Sequence, residues 1–432
     1  MAFGRFQDFL SSLVKRQRGL FFTGSEASSI AELLDKLMGT VGEVSGIVTA
    51  RQVLDHYAEL EGEQKLEFFQ NLEQNFNANE AVVKLAFETY EQDPSSANLN
   101  QLSKAAEPLR HEVLRRLNST PDATHDLVAM RTDLLKLLRD HPELRAVNED
   151  FIRLFSSWFG RGFLILETIN WSTSAAILER IIRYEAVHEI KDWDDLRRRI
   201  DPPNRRCFAY FHPALIDEPL IFVEVALLKD VPGSINSILE DEGSEVVDTS
   251  EYNTAVFYGI SNCQPGLKSI TFGNFLIKQV VQGLQGEFPS IKTFVTLSPI
   301  PGLQKWLNAE TGEELPPELG ELKDQVNALP AGEEAAEEHG DLIRKLAVNF
   351  LLQAKRGKFP ADPVARFHLG NGASVHQLHT GADLSEKGLS QSRGAMVNYL
   401  YDIKDIETNH EHYATNGDIE FNDKLKSLLV KA

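Results

Sequence analysis

Ser261 and His368 have side chains that can move protons or attack a carbonyl. Ser261 follows an apolar run, 255–260, short enough for a buried strand. His368 sits in Phe367-His368-Leu369-Gly370-Asn371-Gly372-Ala373, with a glycine–asparagine turn just after it. Asn398 and Tyr401 fall where a helix carrying Met396, Val397, Tyr399 and Leu400 is expected, which would place them one turn apart on one face. A serine and a histidine so placed serve many chemistries. A structural histidine with both ring nitrogens satisfied explains His368 as well, and spacing leaves both readings open. Glu224 lies inside the apolar run 221–227. A buried carboxylate needs a partner or a task, whereas a strand face turned outward would explain it without either.

The element that must position Ser261 is the stretch 255–301. It reads as strand, polar turn (Ser261 to Gly266), helix (Phe272, Phe275, Leu276, Gln279, Val280, Gly283, Leu284), and a second strand over 293–297. It stops at Ser298-Pro299-Ile300-Pro301. Such a unit aims free backbone N–H groups and a helix N-terminus at one spot, where an anion binds. Lys268 and Lys278 stand nearby. No Gly-Lys-Ser/Thr closes the turn, and Gly266 and Gly273 are too far apart for a dinucleotide fingerprint. Gln264-x-Gly266 followed by Gly273 is similar to the pyrophosphate loop of acyl-CoA-binding acetyltransferase folds. An ordinary strand–turn–helix fits the same residues.

The 432 residues are enough for two domains with separate cores. A net charge of −20 argues against nucleic-acid and anionic-membrane partners, though not against a small anion held by local amides and lysines. The two cysteines, Cys207 and Cys263, suit a reducing compartment, and Cys263 reads as a small buried residue. There is no apolar run of membrane-spanning length. Residues 1–20 read as an amphipathic helix in preference to an organellar presequence.

Residues 25–158 read as helix after helix, with Ser28 and Ser29 as candidate caps. His56, His111, His125 and His141 are expected on solvated faces there. Two more helical stretches are expected over 163–199, and strands over 207–211 and 219–228. The segment 231–239 reads as a loop that starts a helix, 240–251 as an exposed acidic linker, and 310–341 as a solvated loop with one short helix. The boundaries that follow are a helical domain over 1–190 and an α/β domain over 191–432.

Five stretches carry a family resemblance: PLIFVEVALLKDVPGSINSIL (219–239), AVFYGIS with GL and FGNFLIKQVV (255–281), FPSIKTFVTLSPIPGLQKWL (288–307), FHLGNGA (367–373) and GAMVNYLY (394–401). Together they resemble the malonyl-CoA decarboxylases over most of 150–405. The resemblance implies an α+β multidomain fold, an all-α helical oligomerisation bundle followed by an α/β acetyltransferase-like (GNAT-like) catalytic domain. It implies Ser261 and His368 as catalytic residues, with Asn398 and Tyr401 in the active site. It implies that Pro232, Gly233, Ser234, Ile235, Asn236, Ser237 and Ile238 contact malonyl-CoA, and Gln264 and Gly266 join them. No metal or other cofactor is implied, because the thioester takes up the electrons. A homo-oligomer, dimer or tetramer, is implied, and the lack of a peroxisomal tripeptide suits a bacterial cytoplasmic form.

In that reaction CO₂ leaves, an enolate forms, and the carbon is protonated. Preorganised donors suit the enolate oxygen, and a histidine titrating near neutrality suits the protonation. Two rival functions share the same cradle. One is an acyltransferase with Glu224 as base, and the other is a non-catalytic CoA-binding protein.

Overall fold

The computed structural model describes residues 29–241, 249–270, 275–309, 316–330 and 332–430. Residues 1–20, Phe272, Gly273, most of the 240–251 linker and the start of the 310–341 stretch lie outside the described residues. The chain divides into two units. One is residues 1–164 with 212–216 and 264–271, and the other is 165–211, 217–263 and 272–432.

The first unit is helical, as its 3.6-residue periodicity predicts. Ser29 and Glu32 form a reciprocal capping box at the first described helix, Ile30–Gly39. Asn79 and Ser95 cap the helices Glu80–Gln92 and Ser96–Ala105. Tyr57, Phe68 and Phe69 pack edge to face, with Phe151 and Phe155 alike in the same unit. His111 differs from the sequence expectation. It is buried, with Nε2 2.7 Å from Asp150 Oδ1 and Nδ1 3.0 Å from Glu107 Oε1. Its carboxylate partners are what permit that burial.

The second unit is built on an eight-stranded sheet: β1 Ile165–Ile169, β2 Arg205–Phe211, β3 Pro219–Leu228, β4 Thr254–Asn262, β5 Thr293–Thr296, β6 Ser298–Pro299, β9 Ser374–His379 and β10 Met396–Leu400. The short strands β7 Lys355–Arg356 and β8 Phe359–Pro360 pair apart from it. The order is β1-β2-β3-β4-β5-β10-β6, with β9 on β10. β1 to β4 are antiparallel, whereas β4 and β5 are parallel and joined through the helix Phe275–Glu287. An all-α part followed by an α/β domain is the order that the resemblance implied.

Two local expectations fail for one reason. Residues 165–169 form a strand, not helix, because they pair along β2. Met396, Val397, Tyr399 and Leu400 form a strand, held between β9, β5 and β6. Short apolar runs carry no period long enough to choose, so pairing chooses for them. In the 310–341 stretch, two helices stand where one was expected, Pro317–Asn327 and Glu333–Glu338, with Leu319, Leu322 and Val326 buried.

Candidate active site

β4 and β5 pair from Thr254↔Thr293 to Phe257↔Thr296 and then part. β4 continues to Asn262, while the other chain turns through Leu297 into β6. The parting opens a cavity of about 260 Å³ in the second unit. Phe257, Tyr258, Ile260 and Asn262 line it from β4, Ser298 and Pro299 from β6, and Phe367 and His368 from the helix Pro363–Gly370.

His368 is carried by that helix, whose start is fixed by Pro363 at its first turn and Asp362 as N-cap. Asp362 Oδ1 accepts from the N–H of Val364 and Ala365, and Oδ2 accepts from Gly302 N–H. One buried carboxylate thus ties the His368 helix to the Ser-Pro-Ile-Pro-Gly turn. The helix ends at Gly370, and in the turn that follows Gly372 has a φ of +83°, which favours glycine, and a Cβ there would lie 2.1 Å from Ile406 O.

His368 is 2% exposed. Its Nδ1 is 2.8 Å from Tyr401 Oη, its Nε2 is 3.1 Å from Ser298 Oγ, and its ring stacks on Tyr399 at 4.6 Å. Burial pushes its pKa down to about 3, so the ring is neutral at pH 7. The sequence expectation of a histidine titrating near neutrality is therefore corrected. Burial also keeps the phenols of Tyr399 and Tyr401 protonated. Ser298 O–H donates to Thr296 Oγ1, 2.9 Å away, so Ser298 Oγ accepts from Nε2–H and Nδ1 accepts from Tyr401 O–H.

Asn398 does not share a face with Tyr401. On a strand, side chains alternate, so Tyr399 and Tyr401 meet His368 while Asn398 points away. Its Oδ1 is 2.6 Å from His379 Nε2 and its Nδ2 donates to Thr296 O at 2.7 Å. Alternation also turns Ser261 away from the cavity that Ile260 and Asn262 line. Ser261 O–H donates to Glu185 Oε2 at 3.0 Å, and its oxygen accepts from Ala186 N–H at 3.2 Å. Glu185 Oε1 in turn accepts from the N–H of Val187 and His188. The serine that meets His368 is Ser298, which sequence reasoning passed over. Its place in Ser298-Pro299-Ile300-Pro301, directly after a buried strand, was the available signal.

The 232–238 segment is a loop running into the short helix Asn236–Leu239. Ile235 and Ile238 anchor it in a core with Tyr258, Leu297, Ala382 and Met396. Ile235 N–H donates to Ala382 O, and Ser234 Oγ lies 3.3 Å from the same oxygen. Pro232 is half-buried and Gly233, Asn236 and Ser237 are exposed. Gln264 and Gly266 are not among the residues that line the cavity. They belong to the helical unit, where a Cβ on Gly266 would lie 1.9 Å from Val128 O and Arg131 Nη1 donates to Gly266 O at 2.6 Å. Close helix packing explains that glycine. Lys278 is paired with Glu407.

Glu224 is 1% exposed, and neither of its oxygens has a hydrogen-bond partner among the described residues. The nearest cation is Arg199, at 3.6 Å. Burial and then the Glu185 charge hold its carboxyl well above the usual carboxylate range. The buried Tyr258 hydroxyl is likewise without a partner.

A mixed sheet whose parallel pair parts around a buried histidine, preceded in the chain by a helical part, gives a two-part all-α then α/β architecture with one candidate centre in the α/β part. The model of the malonyl-CoA decarboxylase C-terminal domain matches residues 162–432, and that of the N-terminal domain matches 76–159. The chain is 45% identical to the solved malonyl-CoA decarboxylase of Rhodopseudomonas palustris, with a TM-score of 0.86 over 92% of this chain and 98% of that one. Against the Agrobacterium vitis protein of the same name the values are 44%, 0.85, 94% and 100%. The mitochondrial malonyl-CoA decarboxylase of Rattus norvegicus is 33% identical over 415 residues, 86% of this chain and 83% of the relative. The chain belongs to the malonyl-CoA decarboxylase family.

Proposed function

We propose that this carbon–carbon lyase converts malonyl-CoA to acetyl-CoA and CO₂ around His368. The observation that carries the assignment of the centre is His368 itself, buried, neutral, and held between Ser298 and Tyr401 at the wall of the cavity. About 260 Å³ suits the acyl end of a thioester. The bond between the carboxylate carbon and the methylene carbon breaks, CO₂ leaves, and the electron pair moves into the thioester as an enolate. A donor aimed at the enolate oxygen lowers that barrier, and His368 Nε2–H takes that role by exchanging Ser298 Oγ for the enolate oxygen, with Ser298 O–H able to leave Thr296 Oγ1 for it likewise. The neutral imidazole acts as an electrophile with Tyr401 fixing its tautomer. A thioester carbanion is basic enough to take its proton from a neutral donor, and water restores that donor afterwards. The thioester is the electron sink, so the step needs no further cofactor.

In this proposal the 232–238 segment carries the coenzyme end, with Gln264 and Gly266 assigned to it only by resemblance. Ser261 reaches substrate only on leaving Glu185; as placed, it holds the 185–188 segment, whose Val187 lines the cavity. Glu224 as a neutral acid does not offer the base that acyl transfer to an amine would need. The helices Glu80–Gln92 and Ser96–Ala105 bury no residue and expose Val82, Leu85, Phe87 and Leu99, which supports self-association through the helical part. Two buried thiols suit the cytoplasm of a bacterium. Among the described residues no helix is long and apolar enough to cross a membrane.

The test is turnover of malonyl-CoA to acetyl-CoA by the purified protein without added metal. His368→Asn should lower kcat roughly 10²–10⁴-fold, and Ser298→Ala roughly 10²–10³-fold. Ser261→Ala should lose less than Ser298→Ala. A wild type that binds malonyl-CoA without forming acetyl-CoA overturns the function. Equal losses for the two serines overturn the assignment of Ser298.

A further inference from the structure

His379, the last residue of β9, stands between the 232–238 segment and the His368 centre. Its Nε2 is 2.6 Å from Asn398 Oδ1. An amide oxygen only accepts, so Nε2 carries the ring proton and donates. Burial holds the pKa of His379 below its ordinary value, which keeps the other nitrogen, Nδ1, unprotonated. Nδ1 faces the loop, and a Cβ built on Gly233 would lie 3.0 Å from it. The loop is bound to the same stretch of chain three residues further on, through Ile235 N–H and Ala382 O at 2.9 Å.

On its other side, His379 leads to the reaction centre through groups that leave little freedom. Asn398 is fully buried, so its amide orientation follows from its partners. Thr296 O can only accept, so Nδ2 faces it, 2.7 Å away, and Oδ1 is left for His379. Thr296 Oγ1 accepts from Tyr399 N–H at 3.1 Å and from Ser298 O–H at 2.9 Å. Ser298 Oγ meets His368 Nε2 at 3.1 Å. A flip of the Asn398 amide would set its NH₂ against the donating Nε2 of His379 and its oxygen against Thr296 O, two repulsive contacts in a buried site.

We propose that His379 is a positioning residue. It holds the oxygen end of the Asn398 amide opposite Thr296 O and so braces, through Thr296 and Ser298, the hydrogen bonding of His368, in register with the seat of the 232–238 loop. This rests on the reading of His368 as the centre and of that loop as the coenzyme contact. Its consequence is that a change at the loop reaches His368 without touching it.

Two substitutions test it. His379→Leu keeps the bulk and removes the donor, and His379→Gln keeps an N–H of similar reach. His379→Leu should lower kcat roughly 10–100-fold, the scale of a misplaced catalytic group, while KM for malonyl-CoA stays within about 3-fold. His379→Gln should return kcat to within about 3-fold of wild type. In protein labelled with ¹⁵N-histidine and free of substrate, the His368 ring should show one Nε2–H tautomer in wild type and in His379→Gln, and a mixture in His379→Leu.

Equal loss in the Leu and Gln variants, or unchanged His368 ring shifts in His379→Leu, overturns the proposal. If wild type does not turn over malonyl-CoA, the functional reading falls. The ring shifts then decide the positioning role alone.

Discussion

Two buried carboxylates, Asp150 in the helical unit and Glu224 in the α/β unit, are held in opposite ways. In the helical unit, Asp150 is 6% exposed and both its oxygens are taken, one by Arg110 Nε and one by His111 Nε2. His111 and Arg110 are occupied in turn by Glu107 and Asn77. In the α/β unit, Glu224 is buried more deeply, yet neither of its oxygens has a hydrogen bond among the described residues. His368 stays neutral there, and the buried Tyr258 hydroxyl has no hydrogen-bond partner among the described residues. Asp150 is saturated by its neighbours, whereas Glu224 keeps both oxygens without a hydrogen bond among the described residues and holds a proton that water would take at pH 7.

That contrast can be broken by substitution. The largest effect is expected from Asp150→Ala, which leaves Arg110 and His111 buried without the carboxylate they share, with only Asn77 and Glu107 still bonding them. It should cost about 3–5 kcal/mol of stability in thermal or denaturant unfolding, with kcat per folded molecule unchanged. A loss of activity in the folded fraction would erase the distinction between the units.

Glu224→Gln should act the other way and depend on pH. Below the ordinary glutamate value of 4.5, both folded and unfolded chains hold the proton, and the substitution changes little. As pH rises above that value the unfolded chain ionises and the folded one does not, so the native protein loses stability. The Gln variant is spared this. Its melting temperature relative to wild type should rise by about 2–4 °C between pH 5 and pH 8. A difference independent of pH would mean that Glu224 is ionised in the folded state.

The smallest effect, and the one that sharpens the comparison, is expected at Asp362. It is a saturated carboxylate of the structural kind, but it sits in the catalytic unit, where it caps the His368 helix and holds Gly302. Asp362→Ala should cost about 1 kcal/mol of stability, as lost caps do. Unlike Asp150→Ala, it should also lower kcat, because the helix start it fixes carries His368. A normal kcat would show that the helix is held from elsewhere.

Much of this arrangement was legible in the residues. The strand–turn–helix–strand order of 255–301 follows from apolar runs and their spacing, and β3 falls on the apolar run 219–228. The Ser29 cap is legible from residue types alone. Glu224 stood out because a carboxylate inside an apolar strand is anomalous wherever it folds. Illegible were the strand nature of Met396–Leu400, and with it the opposite facing of Asn398 and Tyr401, because five residues, four of them apolar, fit either period. Illegible too was the burial of His111, which depends on a carboxylate 39 positions away.

The sequence by itself determined where strands and helices could form and that Ser261 and His368 were the residues to consider. It did so through properties that act over a few residues: apolar period, capping side chains, and turns that only glycine or proline tolerates. Only the tertiary structure decided that the serine on His368 is Ser298, 70 positions away, that Ser261 is held by Glu185, and that the imidazole is neutral. These outcomes depend on desolvation and on strand register, which are set by which distant segments come together to exclude water.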